Sequence, residues 1–149
     1  DIFLPDFKYI SSEMAARYSN APDYPEIAKR ALAQMVKQTG DAKFDERDMM
    51  KRGVIVRHLI LPGHIKESKE AIRYLYETYG DQIYISIMNQ YTPMPGIEKR
   101  FKNLGHTITQ KEYDEVVDYA IDLGVENGFI QEGETAKESF IPQFDDTGL

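Results

Sequence analysis

A chain of 149 residues, 42% hydrophobic and 29% charged, has the material for a single domain, 1–149, with its own core. Its net charge of −7 argues against a non-specific nucleic-acid binder, whose affinity comes from neutralising phosphates, and the lack of any cysteine excludes disulfides, thiolate metal sites and cysteine nucleophiles within this chain. No apolar run approaches the roughly 20 residues of a membrane-crossing helix and no secretory leader is visible, so neither a membrane nor a nucleic-acid partner is expected and the expected location is cytoplasmic.

The elements read as follows. Ile2 to Phe7 has the composition of a strand, although Pro5 interrupts it and Asp6 and Lys8 fall at its end. Ser11 and Ser12 are placed to cap a short helix over Glu13–Tyr18. Pro22 and Pro25 frame a longer helix over 24–38 with Asp23 as N-cap. Its apolar stripe is Ile27, Ala28, Ala31, Leu32, Met35 and Val36, and Gly40 ends it. "DAKFDERDMMKRG" is polar without a stripe, a loop or short hairpin. "VIVRHLILPG" is nearly continuously apolar, as a strand covered on both faces would be.

Ser68 is the expected cap of a helix over 69–79, with Ile72, Leu75, Tyr76 and Tyr79 inward and Gly80 as its stop. A third strand covers Ile83–Met88. "MPGIEKRFKNLGH" reads as a loop or short helical excursion. Thr109 and Glu112 have capping-box spacing ahead of a helix with Tyr113, Val116, Val117, Ala120 and Ile121 inward, stopped by Gly124. "NGFIQ" is a last short strand. The tail "ESFIPQFDDTGL" reads as irregular, with Phe140, Ile141 and Phe144 as docking points.

Strand, helix, strand, helix, strand, helix, strand implies a parallel sheet with the helices outside it. In such sheets ligands gather at the carboxyl ends of the strands. The polar residues sit there: Asp6 and Lys8 after the first strand, Arg57 and His58 late in the second, and Asn89, Gln90 and Tyr91 after the third. Side chains alternate along a strand, so Asp6 and Lys8 share a face about 7 Å apart, and Arg57 can converge on them from the neighbouring strand. Each group also has a plainer role. Asp6 and Lys8 suit a structural ion pair, and His58 suits a hydrogen-bonded core histidine better than a metal ligand. His64 and His106 share no ligand spacing, so no metal site is expected. The helix carrying Asp114, Glu115 and Asp118 suits a solvated face. Recurrence of polar groups at one end of three successive strands favours a binding site there.

Five segments in order, "DIFLPDFKY", "AARYSNAPDY", "RGVIVRHLILPG", "ISIMNQYTP" and "ESFIPQFD", resemble the C-terminal half of radical S-adenosylmethionine proteins, specifically uncharacterised relatives of the pyruvate formate-lyase activating enzyme. The resemblance covers essentially the whole chain. "DFK" is similar to the family's D-x-K motif after its fourth barrel strand, and "RHLILPG" to its R-x-x-apolar-apolar-P-G segment on the next. It implies an α/β fold, the C-terminal part of a partial (β/α)6 TIM-like barrel with parallel strands and outer helices. It also implies a [4Fe–4S] cluster held by three cysteines and S-adenosylmethionine bound to it. Reductive cleavage would then give a 5′-deoxyadenosyl radical that abstracts hydrogen.

By the same resemblance Asp6 and Lys8 would meet the amino-acid head of S-adenosylmethionine, Arg57 would meet that head or the ribose, and Asn89, Gln90 and Tyr91 would flank its adenine. Relatives often have a histidine near Tyr91. The implied partners are a glycyl-radical-type protein substrate and an electron donor such as flavodoxin or ferredoxin. The chain departs from the family in having no cysteine and no glycine-rich segment, and its start at Asp1 inside a strand reads as a piece of a longer protein lacking the cluster-binding half. The competing reading is a non-catalytic α/β small-molecule-binding module. A mononucleotide-binding fold is weaker still, because no glycine-rich phosphate loop is present.

Overall fold

The structure, a computed structural model, describes residues 1–132 and 137–140. Its centre is a sheet of four parallel strands, β1 (Ile2–Phe3), β3 (Met50–Leu59), β4 (Tyr84–Met88) and β5 (Gly128–Glu132), in the order β1-β3-β4-β5. A short strand β2 (Lys43–Phe44) folds back on β3 as an antiparallel hairpin, and β6 (Lys137–Phe140) pairs antiparallel with β5 at the far edge. The segment expected to be irregular thus contributes a strand; Ile141 and Phe144 lie outside the described residues. The helices are α1 (Ser12–Ser19), α2 (Tyr24–Thr39), α3 (Ile65–Tyr79) and α4 (Gln110–Leu123). The expected excursion after β4 is two 3-10 turns, Ile97–Lys99 and Lys102–Gly105. No described helix is long and apolar enough to cross a membrane.

One face of the sheet is covered throughout; the other is covered at β4, where Tyr84 and Ser86 are buried, but open along β1 and β3. Alternate residues of β3 and the turn after it, Val54, Val56, His58 and Ile60, are fully buried, as are Ile85 and Ile87 of β4. They pack with Leu32 and Val36 of α2, Ala71, Ile72 and Leu75 of α3, and Val116 and Ala120 of α4. Each large side chain buried this way stabilises the fold by about 1.5–3 kcal/mol. The intervening residues Ile55, Arg57 and Leu59 are only half-buried. On that side Ile2 and Leu4 are 43% and 56% exposed. Helices α2, α3 and α4 therefore lie on one side, as the alternation required, while α1 packs through Met14 and Ala15 in a separate small cluster with Tyr9 and Leu61.

Helix ends follow local chemistry, with two departures. Ser11 caps α1 through the Met14 N–H, and Asn20 ends it in the left-handed conformation. At α4 both halves of the capping box form between Thr109 and Glu112. Asp23 makes no side-chain cap; α2 instead starts with proline in its first turn, where a missing N–H costs nothing. Ser68 is not a cap either. Helix α3 begins one turn earlier, after His64, and Ser68 is buried inside it. The stripe of α2 is wider than the chain covers: Ile27 is 53% exposed and Ala31 is exposed.

Strand β1 is shorter than expected. The ladder stops at Phe3, because Pro5 has no N–H to give, and resumes as a single bridge between Asp6 and Arg57. There the Arg57 N–H donates to the Pro5 carbonyl and the Phe7 N–H to the Arg57 carbonyl, both at 2.8 Å. Beyond Phe7 side chains replace the ladder. The Tyr24 hydroxyl donates to the Asp6 carbonyl (3.0 Å) and accepts from the Lys8 N–H (2.9 Å). Glu67 Oε2 accepts from the N–H groups of Ile10 (2.7 Å) and Ser11 (2.9 Å). His58 Nδ1 meets the Phe7 carbonyl and Nε2 the Ser68 hydroxyl, both at 2.8 Å. A carbonyl only accepts, so Nδ1 carries the proton and Nε2 accepts from Ser68. His58 is a satisfied core histidine.

Burial holds the His58 pKa below the ordinary histidine value, against the opposing pull of the Phe7 carbonyl and the Glu67 charge. The folded protein then takes up a proton less readily than the unfolded chain. Acid therefore favours unfolding as pH falls below about 6.5, and the contribution is constant above it. In urea titrations, His58→Asn, which keeps a donor for Phe7 but does not titrate, is expected to lose this part of the pH dependence. It should also cost about 1–3 kcal/mol through the unpaired Ser68 hydroxyl. An unchanged pH dependence would show that His58 is not its source.

Candidate functional site

The site grows from where the open sheet face ends. Arg57 precedes the buried His58, so the period of two turns it to the uncovered side, and the parallel bridge sets Asp6 beside it. Arg57 Nε donates to Asp6 Oδ1 at 2.8 Å, with both side chains 43% exposed. The clamped segment after Asp6 brings Lys8 and Tyr9 to the same place. Asp6, Lys8, Tyr9, Arg57, Leu59, Leu61, Met88 and Tyr91 line a cleft of about 230 Å³. It lies at the carboxyl ends of β3 and β4. Its floor is apolar and its rim charged. Asp6 and Arg57 neutralise one another, and Lys8 has no ion-pair partner among the described residues, so the cleft carries one uncompensated positive charge.

Four of the six expected residues, Asp6, Lys8, Arg57 and Tyr91, thus share one cleft. Asn89 and Gln90 do not. They line a second depression of about 560 Å³ with Thr92, Thr107, Ile108, Thr109 and Gln110, and Tyr91 belongs to both. Its ring is the wall between them, anchored by its hydroxyl donating to the Leu104 carbonyl at 2.8 Å. Burial, with Tyr18 and Tyr9 nearby, raises the Tyr91 pKa, so the hydroxyl stays protonated and able to donate. Apart from that phenol no side chain of the second depression ionises. One lobe is charged over an apolar floor and the other is neutral and rich in amides and hydroxyls.

Other groups at this end were not expected from the sequence. Tyr9 faces the cleft, its hydroxyl 2.9 Å from Ser19 Oγ. Leu59 and Leu61 follow Arg57 at steps of two, a periodicity that would have revealed them. Glu112 does more than cap α4. Its Oε1 accepts from the Thr109 N–H, while Oε2 accepts from the Gly63 N–H at 2.9 Å, tying the Pro62–Gly63 turn to α4. Burial would raise its pKa, but the Thr109 and Gly63 bonds prevail and hold it below the usual carboxylate value. Gly63 has φ +79°, a conformation that favours glycine at this turn. His64, the next residue, meets Tyr18 and Asn103. Among the described residues no group of three histidine, aspartate or glutamate side chains is placed to hold a metal ion.

No family model and no solved structure matches the chain. It is similar to the uncharacterized protein MJ0674 of Methanocaldococcus jannaschii, 28% identical over 120 residues. The matched segment is 80% of this chain and 31% of that protein, so the chain spans less than a third of the relative's length in the match.

The Asp6–Arg57 pair is half-exposed and hence solvent-screened. Asp6→Asn is expected to change the urea unfolding free energy by no more than about 1 kcal/mol, while adding a second uncompensated positive charge to the cleft. A loss of several kcal/mol in the same titration would make the pair a structural element rather than a feature of the site.

Proposed function

We propose that this chain is the C-terminal part of a radical S-adenosylmethionine enzyme of the pyruvate formate-lyase activating type, with the two-lobed site as its S-adenosylmethionine pocket. The observation that carries the reading is the convergence of Asp6, Lys8, Arg57 and Tyr91 on one cleft with a single uncompensated positive charge. The ligand's amino-acid head has a carboxylate, an ammonium and a sulfonium. Lys8 and the free Nη groups of Arg57 suit the carboxylate, and Asp6 balances the cationic groups. The neutral lobe, with Asn89 and Gln90, suits the donors and acceptors of an adenine edge, and Tyr91 offers it a ring face.

A (β/α)-barrel is the finer form of the fold in this reading. Two features support a continuation of the sheet past β1: Ile2 and Leu4 are exposed on the open face, and Ile27 and Ala31 leave part of the α2 stripe uncovered beside Pro5. When bound and reduced, S-adenosylmethionine would supply a primary carbon radical for hydrogen abstraction. The residues of this chain do not fit the cluster that delivers the electron: such clusters are held by cysteine thiolates, and the chain has none. Those ligands belong, in this reading, to sequence outside it. A cytoplasmic location, a flavodoxin or ferredoxin donor and a glycyl-radical-type protein substrate are parts of the same proposal, with no nucleic-acid or membrane partner. The absence of cysteine is also what favours the second reading, a non-catalytic module that binds a small zwitterion in the same cleft.

Two measurements separate these. After anaerobic reconstitution the chain alone is expected to show no cluster absorbance and to cleave no S-adenosylmethionine, whereas the longer protein shows both; a longer protein that also lacks a cluster leaves the module. In that longer protein Lys8→Ala should weaken S-adenosylmethionine binding by about 1.5–3 kcal/mol, the scale of a charge-assisted hydrogen bond, with the urea midpoint unchanged. Unaltered affinity together with a lowered midpoint would make Lys8 structural and remove the basis for this pocket.

A further inference from the structure

Behind the wall shared by the two lobes lies a polar trio that neither lobe contains. The Tyr18 hydroxyl is 2.6 Å from His64 Nε2, and Asn103 Nδ2 is 3.0 Å from the same nitrogen. Asn103 Nδ2 also reaches the Pro62 carbonyl and the Tyr18 oxygen, each at 3.2 Å. The Tyr18 ring meets the His64 and Phe101 rings edge-on, with centroids 5.3 and 4.8 Å apart, and the Arg17 guanidinium lies 5.3 Å from its centre. Three pieces of chain separated in sequence, α1, the turn after β3 and the 3-10 turn Lys102–Gly105, therefore meet on one imidazole nitrogen. The residue after Asn103 is Leu104, whose carbonyl holds the Tyr91 hydroxyl.

We propose that His64 is a positioning residue for Tyr91: as a neutral imidazole it fixes Asn103, and through Leu104 it fixes the wall between the lobes. The protonation state follows from the donors. An amide N–H only donates, so the Asn103–His64 bond exists only while Nε2 offers a lone pair. A proton on Nε2 would end that bond and turn instead to the Tyr18 oxygen at 2.6 Å. Asn103 would then keep only the Pro62 carbonyl and the Tyr18 oxygen, each at 3.2 Å. Protonation of His64 therefore removes the shortest of the three contacts that hold Asn103. The groups facing the imidazole are Tyr18 and Arg17 of α1, Glu67 of α3, and the neutral Asn103. Partial burial first, then the Arg17 charge, lower the His64 pKa against the pull of Glu67, so the neutral form prevails at neutral pH.

This inference concerns the wall and holds whichever ligand the lobes accept. The test needs no ligand. In the full chain with 13C-labelled tyrosine, the Tyr91 ring signal is identified by its loss in Tyr91→Phe and followed as pH is lowered through the ordinary histidine value of about 6.5. The Tyr91 signal is expected to move with the same midpoint as the His64 ring. In His64→Gln, whose Oε1 accepts in place of Nε2 but takes up no proton, it should stay at its high-pH position throughout. In His64→Ala it should sit near its low-pH position at every pH. A Tyr91 signal that does not move in the wild type, that moves identically in His64→Gln, or that moves only together with the amide signals of Val54–Ile60 in a general loss of fold would each overturn the assignment.

Discussion

Everything at the carboxyl end of the sheet depends on how the backbone from Asp6 to Ser11 is held after it leaves the ladder. Sheet hydrogen bonds carry it only to Phe7. From there three side chains on three elements take over: Tyr24 from α2 on the backbone either side of Phe7, His58 from β3 on the Phe7 carbonyl, and Glu67 from α3 on the N–H groups of Ile10 and Ser11. A buried backbone group without a partner costs about as much as a lost hydrogen bond. These three clamps let the chain turn out of the sheet while keeping those groups satisfied. The result is a segment whose backbone is bonded to three core elements and whose Lys8 lines the cleft.

The same division runs through β3. Arg57 and His58 are adjacent in sequence and opposite in role. One lies on the open face in a screened ion pair; the other is 1% exposed and bonded at both nitrogens. Strand periodicity alone sorts them, and it places chemistry on one side and support on the other. An ion pair on the covered side would have faced the desolvation penalty of a buried charge. On the open side that penalty is small, and the pair remains available to a ligand.

Much of this was legible in the sequence because it follows from short-range rules. Alternating apolar runs and amphipathic stripes fixed the parallel order of β1, β3 and β4. The spacing of Thr109 and Glu112 gave the α4 cap, and the polar residues at strand ends marked the cleft. What was not legible depends on contacts far apart in the chain. Ser68 has the chemistry of a cap, and only its approach to His58 turns it into a buried hydrogen-bond donor. Asn89 and Gln90 follow β4 as Asp6 follows β1, yet the loop after β4 carries them to the outer lobe. The trio of Tyr18, His64 and Asn103 joins residues up to 85 positions apart. No local pattern announces it. The antiparallel β6 lies in a segment whose serine and charges read as irregular, and pairing with β5 overrides that weak preference.

The two oxygens of Glu112 have a consequence for the order of folding. One closes the first turn of its own helix and the other holds a turn 49 residues earlier in the chain. Helix nucleation is unfavourable until its first turn is stabilised. For α4 the stabilising carboxylate reaches its full set of partners only once the β3 strand and its Pro62–Gly63 turn are in place. The helix and the turn are thereby made mutually dependent. An isolated α4 peptide would nucleate with half of this cap, and in the assembled chain the late helix and the central strand would consolidate in one cooperative step.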